Sequence, residues 1–419
     1  MSHASGKGSL LVVFLAVFID LLGFGMVLPL LPIYAQQFAT NYGLSGRALG
    51  WTIGGLMASF SAMQFLFSPL WGRVSDRFGR RPVIIIGLAG SAFFYALFGV
   101  ATLSQSLEWL FIARIGAGIS GATIATAQAY IADTTTRETR ARGMALIGAA
   151  FGLGFTFGPL LGAAALVFSP DVGVSPWPGY TASALSAGAL LLALFKLPES
   201  LRSESARAGR RLFDPRSWGD ARATPSVGAL LVTSFISVLS FGSFEATLSL
   251  LLSSERGGFG FEYHQVLLFF AFVGLVLSVV QGFLVRRLAT RRSEPVLAGI
   301  GAVLSILGFA LLAWATTRTS LGMLLVASAT EVTGFAFMTP SLTALISRRS
   351  DPARQGAILG VAQSISSLAR IVGPLVSIPL FYIATTLPYW VALGLMCLAL
   401  ALVGVAARGG HDFAATGET

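Results

Sequence analysis

Twelve runs of mostly apolar residues govern what this chain can fold into, because each is long enough, at about 20 residues, to cross a hydrocarbon core of about 30 Å as a helix. They fall at 10–35, 48–71, 82–103, 108–132, 143–168, 178–197, 226–252, 263–285, 295–316, 320–346, 355–381 and 387–407. Of the 419 residues, 55% are hydrophobic and only 11% charged, against roughly 25% charged in an ordinary soluble domain. With a mean hydropathy of +0.78, the chain lacks the polar surface of a cytosolic enzyme or a disordered scaffold. Its formal charge of +10 sits in short islands between the runs, a pattern of membrane topology rather than of nucleic-acid binding. The one cysteine, Cys397, excludes an internal disulfide and a cysteine-based metal cage. The first run reads as a span and not a cleaved leader, since it is long and contains Asp20, Pro29 and Pro32.

Orientation follows from the basic residues. With the N-terminus inside, 23 of the 28 lie in inner segments and only Arg47, Arg256 and Arg318 in outer ones. Arg114 and Arg370 fall inside apolar runs. This bias predicts cytoplasmic termini and an even number of spans. The longest polar stretch, 198–225, is rich in Arg, Ser, Gly and Pro. It reads as a cytoplasmic linker between an N-terminal six-helix half, 1–197, and a C-terminal one, 226–419. Arg207, Arg210 and Arg211 either lie on anionic lipid, each gaining ~1 kcal/mol, or belong to a plain solvated linker. The halves echo each other, as in duplicated transporters. Gly72–Pro82 after run 2 has a counterpart in Gly282–Arg292 after run 8, and Gly158-Pro159-Leu160 one in Gly373-Pro374-Leu375.

Asp76 stands among basic and flexible residues at the inner end of run 2, where it can pair with basic groups while the inner face is closed. Gly72 and Gly79 are expected to let a short loop turn tightly. A plain stop signal for insertion would need the arginines but neither Asp76 nor the glycines. In run 5, Gly154, Gly158 and Gly162 recur every four residues on one face, and Pro159 can bend the helix. The alternatives are a bendable contact between halves near the substrate path and a generic packing seam.

Buried charge is the most informative feature. Asp20 lies about ten residues, or ~15 Å, into run 1. Arg114, Glu331 and Arg370 also sit within runs, and Glu245 nearer an outer mouth. A charge at mid-membrane costs about 2.5–3.5 kcal/mol or more unless paired or hydrated. Polar neighbours share their helical faces: Arg114, Gly118, Gly121, Ala125 and Gln128; Gln363, Ser366, Ser367 and Arg370; Ser234, Ser237, Phe241 and Glu245. These stripes describe a water-accessible cavity, with Asp20 and Arg114 expected to meet in it or to share water. Arg114 and Arg370 can instead lock helices as structural ion pairs, Glu245 can be a solvated mouth residue, and Gln64 and Gln281 can simply bond neighbouring helices. His3, His264 and His411 lie outside span interiors, and no metal site, nucleophilic triad or phosphate-cradling loop occurs. No cofactor and no enzymatic activity are therefore expected.

The segment with Gly72, Asp76, Arg77, Gly79, Arg80 and Arg81 resembles the loop signature of the major facilitator superfamily. Arg114 followed by Gly118 resembles its helix-4 motif. Gly154-x-x-x-Gly158-Pro159-x-x-Gly162 is similar to the helix-5 motif of its drug:proton antiporters. Phe18-Ile19-Asp20, Tyr130-Ile131-Ala132-Asp133 and Leu197-Pro198-Glu199-Ser200 resemble the twelve-helix tetracycline-resistance branch. The second-half loop departs from the pattern, with Arg286 where the repeat would have Asp.

The resemblance implies an all-α membrane protein of twelve helices in two pseudo-symmetric six-helix bundles, rocking around a central site. It further implies export of an amphiphilic small molecule in exchange for protons. A carboxylate in a water-poor cavity resists ionisation and a nearby arginine favours it, so Asp20 is expected to take up and release a proton as the cavity opens to either side. Asp20, Arg114, Glu331 and Arg370 are the proton-coupling candidates. Asp20, Phe24, Gln128, Phe241, Glu245, Gln363 and Ser367 are the substrate-cavity candidates. The expected partners are a small-molecule substrate, protons and membrane lipid, with no nucleic acid, in a monomer of the bacterial inner membrane. Asp20, Glu245 and Glu331 against Arg114 and Arg370 lean toward a cationic or zwitterionic substrate. A proton-coupled importer or uniporter on the same fold is the alternative; a sensor, a lipid-translocating protein or an intramembrane hydrolase fits less well.

Overall fold

The computed structural model describes residues 3–135, 140–168, 173–201, 226–254, 259–350 and 355–409. The linker expected at 198–225 lies outside them from residue 202 on, as do Arg256 and His411. The described residues form helices joined by short turns, without strands. Twelve of these helices are long and apolar enough to cross a membrane, and this is an integral membrane protein. They are numbered here as spans 1 to 12: Leu10–Val27, Gly46–Phe78, Arg80–Leu103, Leu107–Thr134, Leu146–Leu166, Trp177–Lys196, Val227–Ser253, Tyr263–Leu288, Glu294–Arg318, Leu321–Arg349, Ile358–Ile383 and Leu387–Gly409.

Local chemistry sets several ends differently from the apolar runs. The first run is two helices, His3–Val27 and Leu31–Asn41, because Pro29 lacks an N–H and Pro32 opens the second helix near its first position. Span 4 is likewise two helices, Leu107–Gly121 and Ile124–Thr134. Between them the Thr123 N–H donates to the Ser120 carbonyl, a tightened turn that interrupts the proposed stripe from Arg114 to Gln128. Span 2 continues to Phe78, so Gly72, Asp76 and Arg77 are helical and not part of a loop. Gly79 alone makes the turn, at φ +108°, and Arg80 already begins span 3. Gly72 has open space beside it and no turn to make. In span 8, Val280–Val285 forms a π-helical stretch that carries Gln281 and Gly282, so the second-half counterpart of the span 2–3 junction is still helical there.

The chain forms two compact units. One comprises Met1–Arg210 with Phe261–Leu275, the other Arg211–Gly260 with Val276–Thr419. In the first, span 1 packs on spans 5 and 6, span 3 on spans 4 and 6, and span 2 on span 4. In the second, span 7 packs on spans 11 and 12, and span 9 on spans 10 and 12. Each of these second-unit pairs is a first-unit pair moved on by six spans. The glycine echo has the same meaning in both. A Cβ on Gly158 would lie 2.8 Å from the Gly25 Cα of span 1, and one on Gly373 would lie 3.2 Å from the Leu239 carbonyl oxygen of span 7.

Candidate functional site

In the first unit, span 1 carries Asp20 against span 3. The Ser91 hydroxyl donates to its carboxylate at 2.6 Å, and the Tyr95 hydroxyl to its main-chain carbonyl at 3.4 Å. Asp20, Gly87, Ser91 and Thr123 border a cavity of about 20 Å³, room for a single water. Arg114 is 2% exposed, and among the described residues no ion pair joins it to Asp20. Its guanidinium lies over the rings of Phe60 at 4.6 Å and Phe24 at 5.8 Å, with Nε and one terminal nitrogen lacking hydrogen-bond partners. Two aromatic faces thus offset its charge. Gly118 makes this possible: a Cβ there would meet the Phe60 backbone, so spans 2 and 4 approach closely. Tyr95 is near enough to Asp20 and Arg114 to feel both charges. Gln64 donates to the Gly121 carbonyl at 3.2 Å, the helix-bonding role, and Gln128 is exposed.

The helix-5 glycines meet span 1 of the same unit. A Cβ on Gly154 would press on Leu21, and one on Gly158 on Gly25 and Leu22. Gly162 faces Met26 and Leu267, the latter in the stretch of span 8 that belongs to this unit. The seam therefore joins spans 1 and 5 immediately beside Asp20 and Phe24.

At the end of the first unit that carries Gly79, Arg80 is buried and forms a clamp. Its side chain pairs with Asp76 at 2.5 Å and with Asp133 of span 4 at 3.1 Å, and donates to the Ser75 hydroxyl at 2.6 Å. Arg81 reaches the Leu194 carbonyl of span 6, while Arg77 is exposed and lies over Phe78.

The second unit brings two of the sequence stripes together. Ser234 and Ser237 of span 7, Thr339 and Thr343 of span 10, and Gln363 and Ser366 of span 11 line a cavity of about 190 Å³. The Thr339 hydroxyl is buried without a partner. Beyond it, Phe241 stacks on Phe335 at 3.9 Å. Glu245 feels the charges of both Arg370 and Glu331, and Arg370 donates to the Ser367 hydroxyl at 3.2 Å. Glu331 is 1% exposed, with one carboxylate oxygen unpartnered. Gly308 of span 9 lies on its backbone.

The chain thus has twelve spans in two units that repeat one packing scheme, with charges buried inside the spans. The family model for the Major Facilitator Superfamily matches residues 13–374. The chain belongs to the major facilitator superfamily. Among curated proteins it is 34% identical over 380 residues to the tetracycline resistance protein, class C, of Escherichia coli, covering 88% of this chain and 89% of that one. It is 30% identical over 422 residues to the mouse major facilitator superfamily domain-containing protein 10, covering 91% and 88%. Among solved structures, the human organic anion transporter MFSD10 superposes with a TM-score of 0.69 at 30% identity, over 95% of this chain and 99% of that one. A D-xylose-proton symporter superposes at 0.74 with 20% identity, covering 95% and 97%, a likeness of fold. The twelve-helix major facilitator fold expected from the sequence is therefore borne out, and the protein is a transporter of this superfamily.

Sequence reasoning did not find Ser91, Tyr95, Phe60, Thr339 or Thr343. Each owes its place to which helices pack together, and the apolar pattern of a single span carries no sign of that.

Proposed function

We propose that this superfamily member is a proton-coupled antiporter that exports an amphiphilic small molecule by alternating access. The identity with the tetracycline resistance proteins along nearly the whole chain carries this reading. The buried carboxylates add to it. Asp20, held by Ser91 beside a water-sized cavity, is the proton carrier of the first unit, and Arg114 is the second coupling candidate there. Glu331 and Arg370 are the coupling groups of the second. Phe24 and Gln128 are the substrate-contact candidates of the first unit, and Phe241, Glu245, Gln363 and Ser367 those of the second; the Arg80 clamp, with Gly72, Asp76, Arg77, Gly79 and Arg81 around it, is the gating element of the first. On this reading the protein works as a monomer in the bacterial inner membrane with both termini cytoplasmic. The halves are 1–197 and 226–419, with 198–225 as linker.

A second reading concerns the substrate's charge. The resemblance to an organic anion transporter, together with an Arg114 that lies over ring faces and forms no ion pair among the described residues, favours an anionic amphiphile over a cationic one. Expression in a drug-sensitive bacterial host, beside the Asp20→Asn variant, tests both. The wild-type chain raises the inhibitory concentration of tetracycline or of an anionic amphiphile several-fold, and Asp20→Asn abolishes the protection. Full protection by a well-expressed Asp20→Asn variant would contradict the assignment of Asp20.

A further inference from the structure

The cavity of the second unit is polar but carries no charge. Ser237 is 3% exposed and the Thr339 hydroxyl is buried with no partner among the described residues, which marks the closed end. Thr343 and Gln363 are exposed at the mouth, and Ser234 and Ser366 complete a rim supplied by spans 7, 10 and 11. Val238, Leu342 and Leu359 fill the wall between these groups. The charged groups lie farther along the same helices. Glu245 is eight residues past Ser237, Arg370 four past Ser366 and Glu331 eight before Thr339, about one to two turns away. In between, Phe241 and Phe335, each one turn from Ser237 and Thr339, stack at 3.9 Å across spans 7 and 10. The aromatic pair thus stands between a neutral cavity and the buried charges.

Size and hydrogen bonding define what fits. A volume of about 190 Å³ is room for one ring and not for a whole drug-sized molecule, since a cavity of about 150 Å³ holds benzene and drug-sized ligands occupy about 300–1,000 Å³. An ion would find no counter-charge in the lining, and an apolar ring would leave the Ser237 and Thr339 hydroxyls buried without hydrogen bonds, which is costly. The Thr343 hydroxyl donates its proton to the Thr339 carbonyl at 2.9 Å and the Ser366 hydroxyl to the Ala362 carbonyl at 3.0 Å, so both offer a ligand only lone pairs. The Thr339 hydroxyl and the Gln363 amide have protons to give. A ligand carbonyl would answer only these donors, whereas ligand hydroxyls answer donors and acceptors alike. Because the polar groups come from three helices, the oxygens are wanted all round the ring, as on a saturated polyol, and not along one edge.

We propose that this cavity is a subsite for a neutral polyhydroxylated ring, so that the second unit selects amphiphiles that carry a glycosyl group, an assignment that rests on the reading of the protein as an exporter of amphiphiles. The apolar body of such a molecule stays outside the cavity, which is too small to hold it. Thr339 and Ser237, at the closed end, are the residues that distinguish a hydroxylated ring from a bare one.

Equilibrium binding to the full-length protein in lipid nanodiscs, corrected for binding to empty nanodiscs, is the test. The probes are naphthyl β-glucoside and methoxynaphthalene, which share an apolar body and differ in the hydroxylated ring. The glucoside is expected to bind at least about tenfold more tightly, because a site built for hydroxyls rejects an analogue that lacks them. Thr339→Val keeps the shape and removes the hydroxyl. It is expected to weaken glucoside binding about tenfold and methoxynaphthalene binding by less than about twofold. Ser237→Ala is expected to act in the same way, and it carries the test should Thr339→Val fail to insert. Equal affinity for the two probes, or glucoside binding indifferent to both variants, would overturn the proposal. So would an equal loss of both probes in the variants, which would make the hydroxyls structural. Uptake into everted vesicles under a pH gradient separates this from the export reading. Selective glucoside binding without gradient-driven uptake would uphold the subsite and contradict the antiport; gradient-driven uptake of tetracycline by a protein without selective glucoside binding would do the reverse.

Discussion

Asp20 accepts its hydrogen bond from Ser91 at 2.6 Å, and a hydroxyl bond to an ionised group contributes about 1.5–3 kcal/mol. The bond has different strength in the two protonation states, so Ser91 tunes proton binding without touching the proton. Ser91→Ala is expected to change apparent proton affinity by about tenfold, the equivalent of ~1.4 kcal/mol. The pH profile of substrate-induced proton release from purified protein reads this change, and an unmoved profile would contradict it. Asp20→Asn is expected to release no proton while still exchanging substrate across the membrane without a gradient. The depth of Asp20 and Arg114 in their runs made both legible as costly charges. Their partners were not legible: no ion pair joins the two among the described residues, and each has its own neighbours. Ser91 of span 3 serves the carboxylate, while Phe60 of span 2 and Phe24 of span 1 serve the guanidinium of Arg114 in span 4. Partners on other helices follow from packing, which one sequence without its helix pairing does not reveal.

At the scale of elements, the four-residue glycine spacing of span 5 foretold a close seam and left its partner open. The structure gives span 1 as that partner, with Gly25 supplying the matching gap. Gly158→Leu would put a side chain where a Cβ already lies 2.8 Å from the Gly25 Cα and 2.9 Å from the Leu22 carbonyl oxygen. Overfilling a packed contact costs about 1–3 kcal/mol, and here the displaced helix carries Asp20. The expected outcome is insertion at near-normal yield with transport at least tenfold lower, since ~1.4 kcal/mol corresponds to a factor of ten. Gly148→Ala, at a position with nothing within 4 Å, is the control and is expected to transport like wild type. Normal transport by Gly158→Leu would show that the seam tolerates separation. The junction of spans 2 and 3 teaches a related lesson. Apolar content ended span 2 at residue 71, yet the helix runs on through polar Gly72–Phe78, because hydrogen bonding continues a helix past the point where lipid stops favouring it.

Over the whole molecule, the number and length of spans were legible because bilayer thickness imposes one helix length on all of them. The internal repeat was legible only as two short echoes, and the structure widens it into a shared packing scheme in each unit. The polar interior was legible in part. The Ser234, Ser237 and Gln363, Ser366 stripes do line one cavity; its third wall, Thr339 and Thr343 of span 10, shows only once the helices are packed. These features serve the proposed exchange of protons for substrate, and vectorial transport tests it most directly. The measurement is uptake of a fluorescent tetracycline into everted membrane vesicles with an imposed acid-interior pH gradient. The account predicts accumulation that a protonophore abolishes and that Asp20→Asn vesicles lack. Uptake indifferent to the gradient, or driven only when the gradient is reversed, would contradict it.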